Sequence, residues 1–226
     1  MSGPVLYPGE DSPAWISALP AAQEASQLFI TACAGMDSTG AVVSMHEKDG
    51  HGAWKQLLSS PAFVGREGLC RDADHREGCA RTPIGVYRFN RAFGIAPDPG
   101  CALPYVQVNE YLWWSGDPDR LYNRMADIRE VPDLDPADSE HLADYDPEYR
   151  YCLSISFNEE CVPGRGSAIF LHCSGPFPFT GGCVAVPEGV MKRIMRAVRK
   201  DCVVVIDTRE ALLRPCRPAD ETPQPK

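Results

Sequence analysis

The sequence has no run of eighteen consecutive apolar residues, and so nothing in it predicts a transmembrane helix. It is also short of basic residues, because 22 Lys and Arg stand against 31 Asp and Glu and give a net charge of -9. A nucleic-acid partner is therefore not expected, since phosphate binding needs a concentrated basic surface. The N-terminus lacks the basic and apolar segments of a secretory signal, and the chain has no internal repeat.

What is present predicts one well-buried domain. The chain has 226 residues, of which 44% are hydrophobic and 23% are charged, close to the averages for globular proteins. We predict a domain over residues 28–208, preceded by a loosely held leader at 1–27 that contains four prolines. The end of the chain, 209–226, is predicted to be a flexible tail. A monomer is favoured, although the oligomeric state cannot be read from the sequence.

Cysteine is the residue type that the chain has in excess. Ten cysteines are more than a cytoplasmic enzyme usually has, and they are compatible with disulfides in an oxidising compartment. The pairs Cys70/Cys79 and Cys152/Cys161 are each close enough in sequence for a local bridge, but spacing does not determine connectivity. The protein is therefore expected to be extracytoplasmic. A cytoplasmic protein with reduced cysteines is the alternative that the missing signal favours.

Strands are predicted to dominate the fold. Apolar and β-branched runs at 28–34 and 40–49 flank a turn and predict a hairpin, and the segment 52–60 fits either a strand or a short helix. Further strands are predicted at 82–90, 104–114, 152–158, 166–173 and 202–208. One amphipathic helix is predicted at 187–200. The acidic, proline-rich segment 115–150 is predicted to be a long surface excursion.

A histidine and a cysteine are joined by a short loop in the segment HCSGPFPFTGGCVAV, 172–186. His172 ends an apolar strand, and Cys183 follows two glycines. A cysteine attacks carbonyls as the thiolate, which a histidine commonly generates. Gly181 and Gly182 let the backbone turn sharply, so the amides of Gly182 and Cys183 are candidates for binding an oxyanion. The alternative for each residue alone is structural, as a bridged or buried cysteine and a strand-end histidine.

Two blocks of sequence resemble the L,D-transpeptidase catalytic domain family of the YkuD type. The block TGGC at 180–183 follows the histidine-bearing strand, and the block TPIG at 82–85 opens an earlier strand. Their order, their spacing and the helix that follows agree with the family over about residues 28–208. The resemblance implies a mainly β (α+β) fold, with a curved sheet or β-sandwich and a few helices, one of them after the catalytic cysteine.

The chain departs from the family pattern at two positions and in one loop length. Gly181 replaces the motif histidine, and Ala185 replaces the arginine commonly found two residues beyond the cysteine. The family base is generally taken to be the upstream histidine, here His172, so the loss at Gly181 is not expected to abolish the chemistry. The loop between His172 and Cys183 is also shorter than is usual in the family.

The resemblance implies an enzyme that acts on peptidoglycan stem peptides in the cell envelope without a cofactor. Cys183 would form a thioester with the donor peptide, and an amine or water would resolve it. His172 would act as general base and then general acid. The carbonyl of Cys173 is a candidate to orient the imidazole, and Thr180 belongs to the same orienting group.

Three residues are candidates for substrate binding. Tyr122 and Asn123 are similar to a Tyr-Asn pair that precedes the catalytic strand in family members, and a core tyrosine with a capping asparagine is the alternative. Arg81 is one of several arginines that could meet stem-peptide carboxylates, although a solvated surface position is the more common role. The segment CRDADHREGC, 70–79, also invites a metal interpretation, but its spacing matches no common zinc pattern, and a bridged or solvated loop is favoured.

Other functional classes remain open at this stage. A papain-like or other cell-wall cysteine peptidase would share the histidine and cysteine, but such enzymes usually place the cysteine before the histidine. An L,D-carboxypeptidase would use the same pair with water as acceptor. A non-catalytic, disulfide-stabilised wall-binding module would have Cys183 in a bridge, and a bridged sulfur cannot attack a carbonyl.

Overall fold

The structure is a computed structural model and describes residues 9–214. Its strands in chain order are β1 Glu10–Asp11, β2 Gln27–Cys33, β3 Gly40–Lys48, β4 Trp54–Phe63, β5 Leu69–Arg71, β6 Thr82–Gly94, β7 Tyr105–Gln107, β8 Leu112–Ser115, β9 Arg124–Asp127, β10 Glu140–His141, β11 Cys152–Ile155, β12 Phe170–Cys173, β13 Val184–Val186 and β14 Val203–Thr208. The α-helices are α1 Ala14–Ala18, α2 Ala21–Glu24, α3 Glu188–Ala197 and α4 Arg209–Leu213. None of the helices within these residues is both long and apolar enough to cross a bilayer.

The main sheet closes on itself. Its strands follow the order β1-β4-β13-β12-β11-β6-β14-β2-β3, and β3 also pairs with β4, which closes a barrel-like ring. The predicted mainly β fold is confirmed, and the closed curved sheet takes the place of the sandwich that was the other expectation. β13 and β4 pair at one position, Ala185 with Phe63, so strand pairing in the ring is weakest beside the strand that follows Cys183.

The inside of the ring forms the largest hydrophobic core. Alternate residues of β12 and β13, among them Leu171 and Val184, point into it, and α3 packs against it with Met191 and Ile194. The helix forms here because its apolar residues recur at helical spacing, and Pro187 precedes its first turn. The residues between those alternate positions point outward from the ring, and this outer face holds the candidate active site.

The sequence predicted most of the strands, with shifted ends. The hairpin is confirmed as β2 and β3, and the ambiguous segment 52–60 lies almost entirely in β4. The predicted strand 104–114 is instead two short strands, β7 and β8, separated by a turn. The strand predicted at 166–173 is confined to β12, and the helix predicted at 187–200 spans Glu188–Ala197.

The N-terminal segment is more ordered than predicted. Within residues 9–27, α1 and α2 pack Ile16, Leu19 and Ala22 against Leu28 and neighbouring residues on the outer face of β2 and β14. A loose leader is therefore wrong for this part, because these apolar side chains cover a face of the sheet that water would otherwise reach. Residues 1–8 lie outside the described residues. The predicted tail contains α4 at its start, and its remainder, 215–226, also lies outside them.

The excursion at 115–150 covers part of the outer face of the ring. It contributes β9 and β10, which pair with β8 in a separate three-stranded sheet. Short 3-10 helices at Leu142–Asp144 and Glu148–Arg150 follow β10. A second hydrophobic cluster under this excursion contains Trp114, Tyr149 and Cys183. The excursion thus forms one wall of the cleft that contains Cys183.

The nine cysteines within residues 9–214 are free thiols, so neither of the two local bridges that the spacing allows is formed. Cys152 is fully buried in β11, where it pairs with His172 of β12, whereas Cys161 lies in a loop and contacts the Glu159 carbonyl. Their nearness in sequence was misleading, because Cys152 points into a cluster formed by other elements. The tenth cysteine, at position 216, lies outside the described residues.

Candidate active site

His172 and Cys183 are brought to one cleft by two parallel strands. β12 and β13 pair with His172 opposite Ala185, so Cys183, two residues before Ala185, emerges on the same outer face. The cleft has a volume of about 430 Å³. Its lining includes Arg66, Glu77, Glu140, Tyr149, His172 and Cys183. The pair that was singled out in sequence therefore shares one cleft in the fold.

The thiol of Cys183 is buried and protonated in this arrangement. Its Sγ donates to the Ala168 carbonyl at 3.1 Å and accepts from the Phe170 amide at 3.3 Å. Burial raises the pKa of the Cys183 thiol well above its usual range, and the charge of the Glu140 carboxylate raises it further. A thiolate on this sulfur therefore requires a base that accepts the proton as the reaction proceeds.

His172 has the tautomer that a general base needs. Its Nδ1 lies 2.7 Å from the Cys173 carbonyl, which can only accept, so Nδ1 carries the hydrogen and Nε2 keeps its lone pair. Burial lowers the pKa of His172 to about 4, although the hydrogen bond to Cys173 opposes this shift. The Tyr149 ring packs edge-on against the imidazole at 5.6 Å between centroids. The ring is thus held neutral and in one orientation.

The two sequence blocks meet at the glycine bend. The hydroxyl of Thr82 donates to the Gly182 carbonyl at 2.7 Å and accepts from the Gly65 amide at 2.9 Å. Thr180 Oγ1 donates to the Cys183 carbonyl at 2.7 Å and accepts from the Gly182 amide at 3.1 Å. The Gly182 amide is therefore already paired, so its predicted role in an oxyanion site does not fit this arrangement. The amide of Cys183 remains the candidate donor.

Gly181 and Ala185, the two residues that differ from the family pattern, also differ in their burial. A Cβ at Gly181 would have no heavy atom within 4 Å outside its chain neighbours, so the position where the family has a histidine is open. Ala185 is 3% exposed and lines the cleft beside His172. A Cβ atom at position 181 therefore displaces no neighbour, whereas Ala185 is buried.

Tyr122 and Asn123 are buried behind the cleft and are not part of its lining. The Tyr122 hydroxyl donates to Glu77 and accepts from the Gly166 amide. Asn123 Oδ1 accepts from the Ala168 amide at 3.1 Å. The alternative of a core tyrosine and a bonded asparagine fits better than direct substrate binding. The pair positions the segment whose Ala168 carbonyl accepts the Cys183 thiol.

Arg81 also does not line the cleft. Its guanidinium donates to the Leu69 carbonyl at 2.9 Å and lies 3.6 Å from the Asp37 carboxylate. The arginine that does line the cleft is Arg66. Because the Arg81 guanidinium is engaged with Leu69 and Asp37, a substrate carboxylate in the cleft would meet Arg66 instead.

Three further residues contribute to the site although the sequence did not indicate a role there for them: Glu140, Tyr149 and Thr82. Glu140 lies in the cleft, and its carboxylate accepts from the Tyr149 hydroxyl at 2.7 Å. Burial raises the pKa of Glu140 to about 7, the Tyr149 hydrogen bond lowers it, and the charge of Glu77 raises it. Neither Glu140 nor Tyr149 belongs to a recognisable sequence motif. Thr82 was quoted within the TPIG block, and its position there is the signal that could have identified it.

Comparison with known proteins supports the resemblance of the two blocks. The family model described as "L,D-transpeptidase catalytic domain" (YkuD) matches residues 45–206, which is more than half of the chain. A search of curated protein sequences found no match.

Two solved structures are similar to the chain, both described as the helical cell shape determining protein Pgp2 from Campylobacter jejuni, one of them a mutant. The first is 14% identical with a TM-score of 0.42, and the match covers 81% of this chain and 49% of the Pgp2 chain. The mutant is 15% identical with a TM-score of 0.43, and the match covers 86% of this chain and 53% of the mutant chain. The chain thus spans about half the length of these proteins.

Proposed function

The chain belongs to the L,D-transpeptidase catalytic domain family, and from this premise we propose that it is a cysteine-dependent acyltransferase acting on peptidoglycan stem peptides. The observation that carries the proposal is the placement of His172 and Cys183 in one cleft, with the Nδ1 hydrogen of His172 held by the Cys173 carbonyl. The substrate class implies a location in the cell envelope.

The proposed reaction passes one proton between sulfur, imidazole and amine. The thiol of Cys183 leaves the Ala168 carbonyl, and Nε2 of His172 takes its proton as sulfur attacks the carbonyl before the terminal D-residue. The Cys183 amide stabilises the oxyanion of the tetrahedral intermediate. Collapse breaks the peptide bond, and His172 returns the proton to the leaving amine. The product of this half-reaction is a thioester on Cys183.

An amine is the acceptor that the charge of the cleft favours. Three acidic side chains, Glu77, Glu140 and Glu148, line it together with one basic side chain, Arg66. An acidic cleft raises the local concentration of an ammonium group relative to that of neutral solutes. The bound ammonium would release one proton to solvent, and the neutral amine would lose a second to His172 as it attacks the thioester. His172 would return that proton to the departing sulfur of Cys183, so cross-linking or anchoring is proposed ahead of hydrolysis.

A carbapenem tests the nucleophile, because it acylates an activated cysteine and leaves an adduct that intact-mass measurement detects. We expect one adduct on the wild-type chain, none on Cys183→Ala, and labelling of His172→Ala slower by about 100-fold or more, the usual contribution of a general base. Cys161→Ser, which removes a loop thiol, is the control and labels like wild type. An unlabelled wild type whose Cys183 is a free thiol would contradict the proposal.

The acceptor is tested separately with a tetrapeptide stem and an added amine. Aminolysis product in excess over hydrolysis product is expected at millimolar amine. Hydrolysis alone, with the same carbapenem adduct on Cys183, would assign the chain to the L,D-carboxypeptidases. A non-catalytic wall-binding module would have Cys183 in a bridge, and the free thiol of Cys183 within residues 9–214 supports the enzyme over that alternative. Mapping of free thiols in the isolated protein tests it.

A further inference from the structure

Cys70, His75 and Cys79 form a cluster separate from the acyl-transfer pair. Cys70 lies on β5, and the loop that follows turns back so that Cys79 approaches it just before β6 begins. One ligand-type atom from each residue lies within 4.8 Å of the other two. Ligand atoms of a tetrahedral zinc site with Zn–S and Zn–N bonds of usual length are roughly 3.5–3.8 Å apart. A small contraction of the cluster would therefore produce zinc geometry.

The surroundings of His75 provide a second, independent observation. The ring is 4% exposed, with Nδ1 at 2.7 Å from the Arg165 carbonyl and Nε2 at 3.0 Å from the Arg81 carbonyl. A neutral imidazole has one ring hydrogen, so one nitrogen must face a carbonyl with its lone pair. If Nδ1 donates its hydrogen over the shorter distance, the lone pair of Nε2 faces the oxygen of the Arg81 carbonyl with no hydrogen between them. Metal-bound histidines typically donate their other nitrogen to a backbone carbonyl in this way.

We propose that Cys70, His75 and Cys79 bind one zinc ion. The two thiols would bind as thiolates and release two protons to solvent, and Nε2 of His75 would exchange the Arg81 carbonyl for the metal. Water or the exposed carboxylate of Asp74 would complete the four ligands. Mixed thiolate and imidazole ligands suit zinc better than calcium or magnesium, which prefer oxygen.

The fold explains why the sequence pattern did not indicate this site. Four residues separate Cys70 from His75 and three separate His75 from Cys79, which matches no common zinc spacing. The three residues converge because the loop is closed at its base, where β5 pairs with β6. A disulfide between Cys70 and Cys79 is the competing state of the same thiols, and in the structure both are free.

Zinc at this position would fix one wall of the catalytic cleft. Glu77, Cys79 and Ala80, which lie within or beside the loop, line the cleft. The Tyr122 hydroxyl donates to Glu77, which connects the loop to the segment that carries Ala168. The metal would therefore stabilise the site structurally, without taking part in acyl transfer, and its binding is measurable whether or not the chain is a transpeptidase.

Metal analysis and cobalt spectroscopy of the full-length, reduced chain test the proposal. We expect one equivalent of bound zinc, protection of two thiols from alkylation, and thiolate-to-cobalt charge-transfer bands when Co²⁺ replaces Zn²⁺. Cys70→Ser and Cys79→Ser should each weaken zinc binding by more than about 100-fold, because loss of even an outer-shell partner costs about 10- to 100-fold. Cys161→Ser, a half-buried loop cysteine outside the cluster, is the matched control and should bind like wild type.

Circular dichroism establishes that each variant is folded. Should Cys70→Ser not fold, Cys79→Ser provides the same comparison from the other side of the cluster. Three results would overturn the proposal: no zinc bound by the reduced wild-type chain, equal zinc affinity in all variants, or a Cys70–Cys79 disulfide in the protein isolated from its own compartment without reductant.

Discussion

The His172–Cys183 pair, which we propose to be catalytic, is neutral in both members near pH 7. Burial holds the proton on Cys183 and lowers the pKa of His172 to about 4, so the resting state is a thiol beside an imidazole. This differs from a preformed thiolate–imidazolium pair, and it means that proton transfer accompanies attack. Loss of activity towards acid is therefore expected near pH 4, where His172 becomes protonated, and well below the usual histidine range.

Glu140 gives the pair a second pH dependence. Its pKa is raised to about 7, so above this pH a carboxylate stands near Cys183 and opposes ionisation of the thiol. We predict that Glu140→Gln accelerates carbapenem acylation of Cys183 by about three- to tenfold at pH 8, equivalent to half to one unit of thiol pKa. Below pH 6 the two proteins should react alike, because Glu140 is then neutral in both.

Acylation rates between pH 5 and 9 measure this effect. Glu148→Gln is the matched control, since Glu148 also lines the cleft but is not a cause of the Cys183 shift. Equal rates for Glu140→Gln and wild type at pH 8 would refute the proposed role of the charge.

At the scale of elements, the start of β6 supports the bend before β13. The Thr82 hydroxyl bonds both the Gly182 carbonyl and the Gly65 amide, all in buried positions. We predict that Thr82→Val lowers the free energy of unfolding by about 1–3 kcal/mol, because it leaves these buried groups without their partner. Acylation of Cys183 should slow as well, because the glycine bend that orients Cys183 becomes less rigid.

Urea unfolding and carbapenem kinetics check both parts of this prediction. Thr82→Ser keeps the hydroxyl and should remain close to wild type in both. A Thr82→Val protein with unchanged stability and unchanged acylation would show that the link between the two blocks is dispensable.

Local patterns predicted the elements, and long-range packing determined the cleft. The hairpin of β2 and β3, helix α3 and the His172–Cys183 pair are encoded by alternation, helical spacing and a short motif. Glu140 and Tyr149 reach the cleft only because the excursion folds over β12, and no local pattern reports that contact. Tyr122 and Asn123 were candidates for the substrate groove because they resemble a Tyr-Asn pair of family members, and a two-residue resemblance does not determine burial.

At the scale of the whole molecule, the N-terminal segment is part of the structural domain. Ile16 is fully buried where α1 covers the outer face of β2 and β14. We predict that Ile16→Ala lowers the free energy of unfolding by about 2–5 kcal/mol, the usual cost of truncating a buried isoleucine. Chemical denaturation measures the change, with the exposed Glu24→Ala on α2 as control. A loss no larger than that of the control would indicate that the segment is only loosely attached.

The buried, protonated state of Cys183 also determines how readily this sulfur is oxidised outside a reducing environment. Hydrogen peroxide oxidises thiolates far faster than thiols, and the first product is a sulfenic acid. Sγ of Cys183 donates its hydrogen to the Ala168 carbonyl, so in the proposed enzyme this sulfur would be shielded from oxidation between turnovers. The same burial that slows its ionisation thus preserves it.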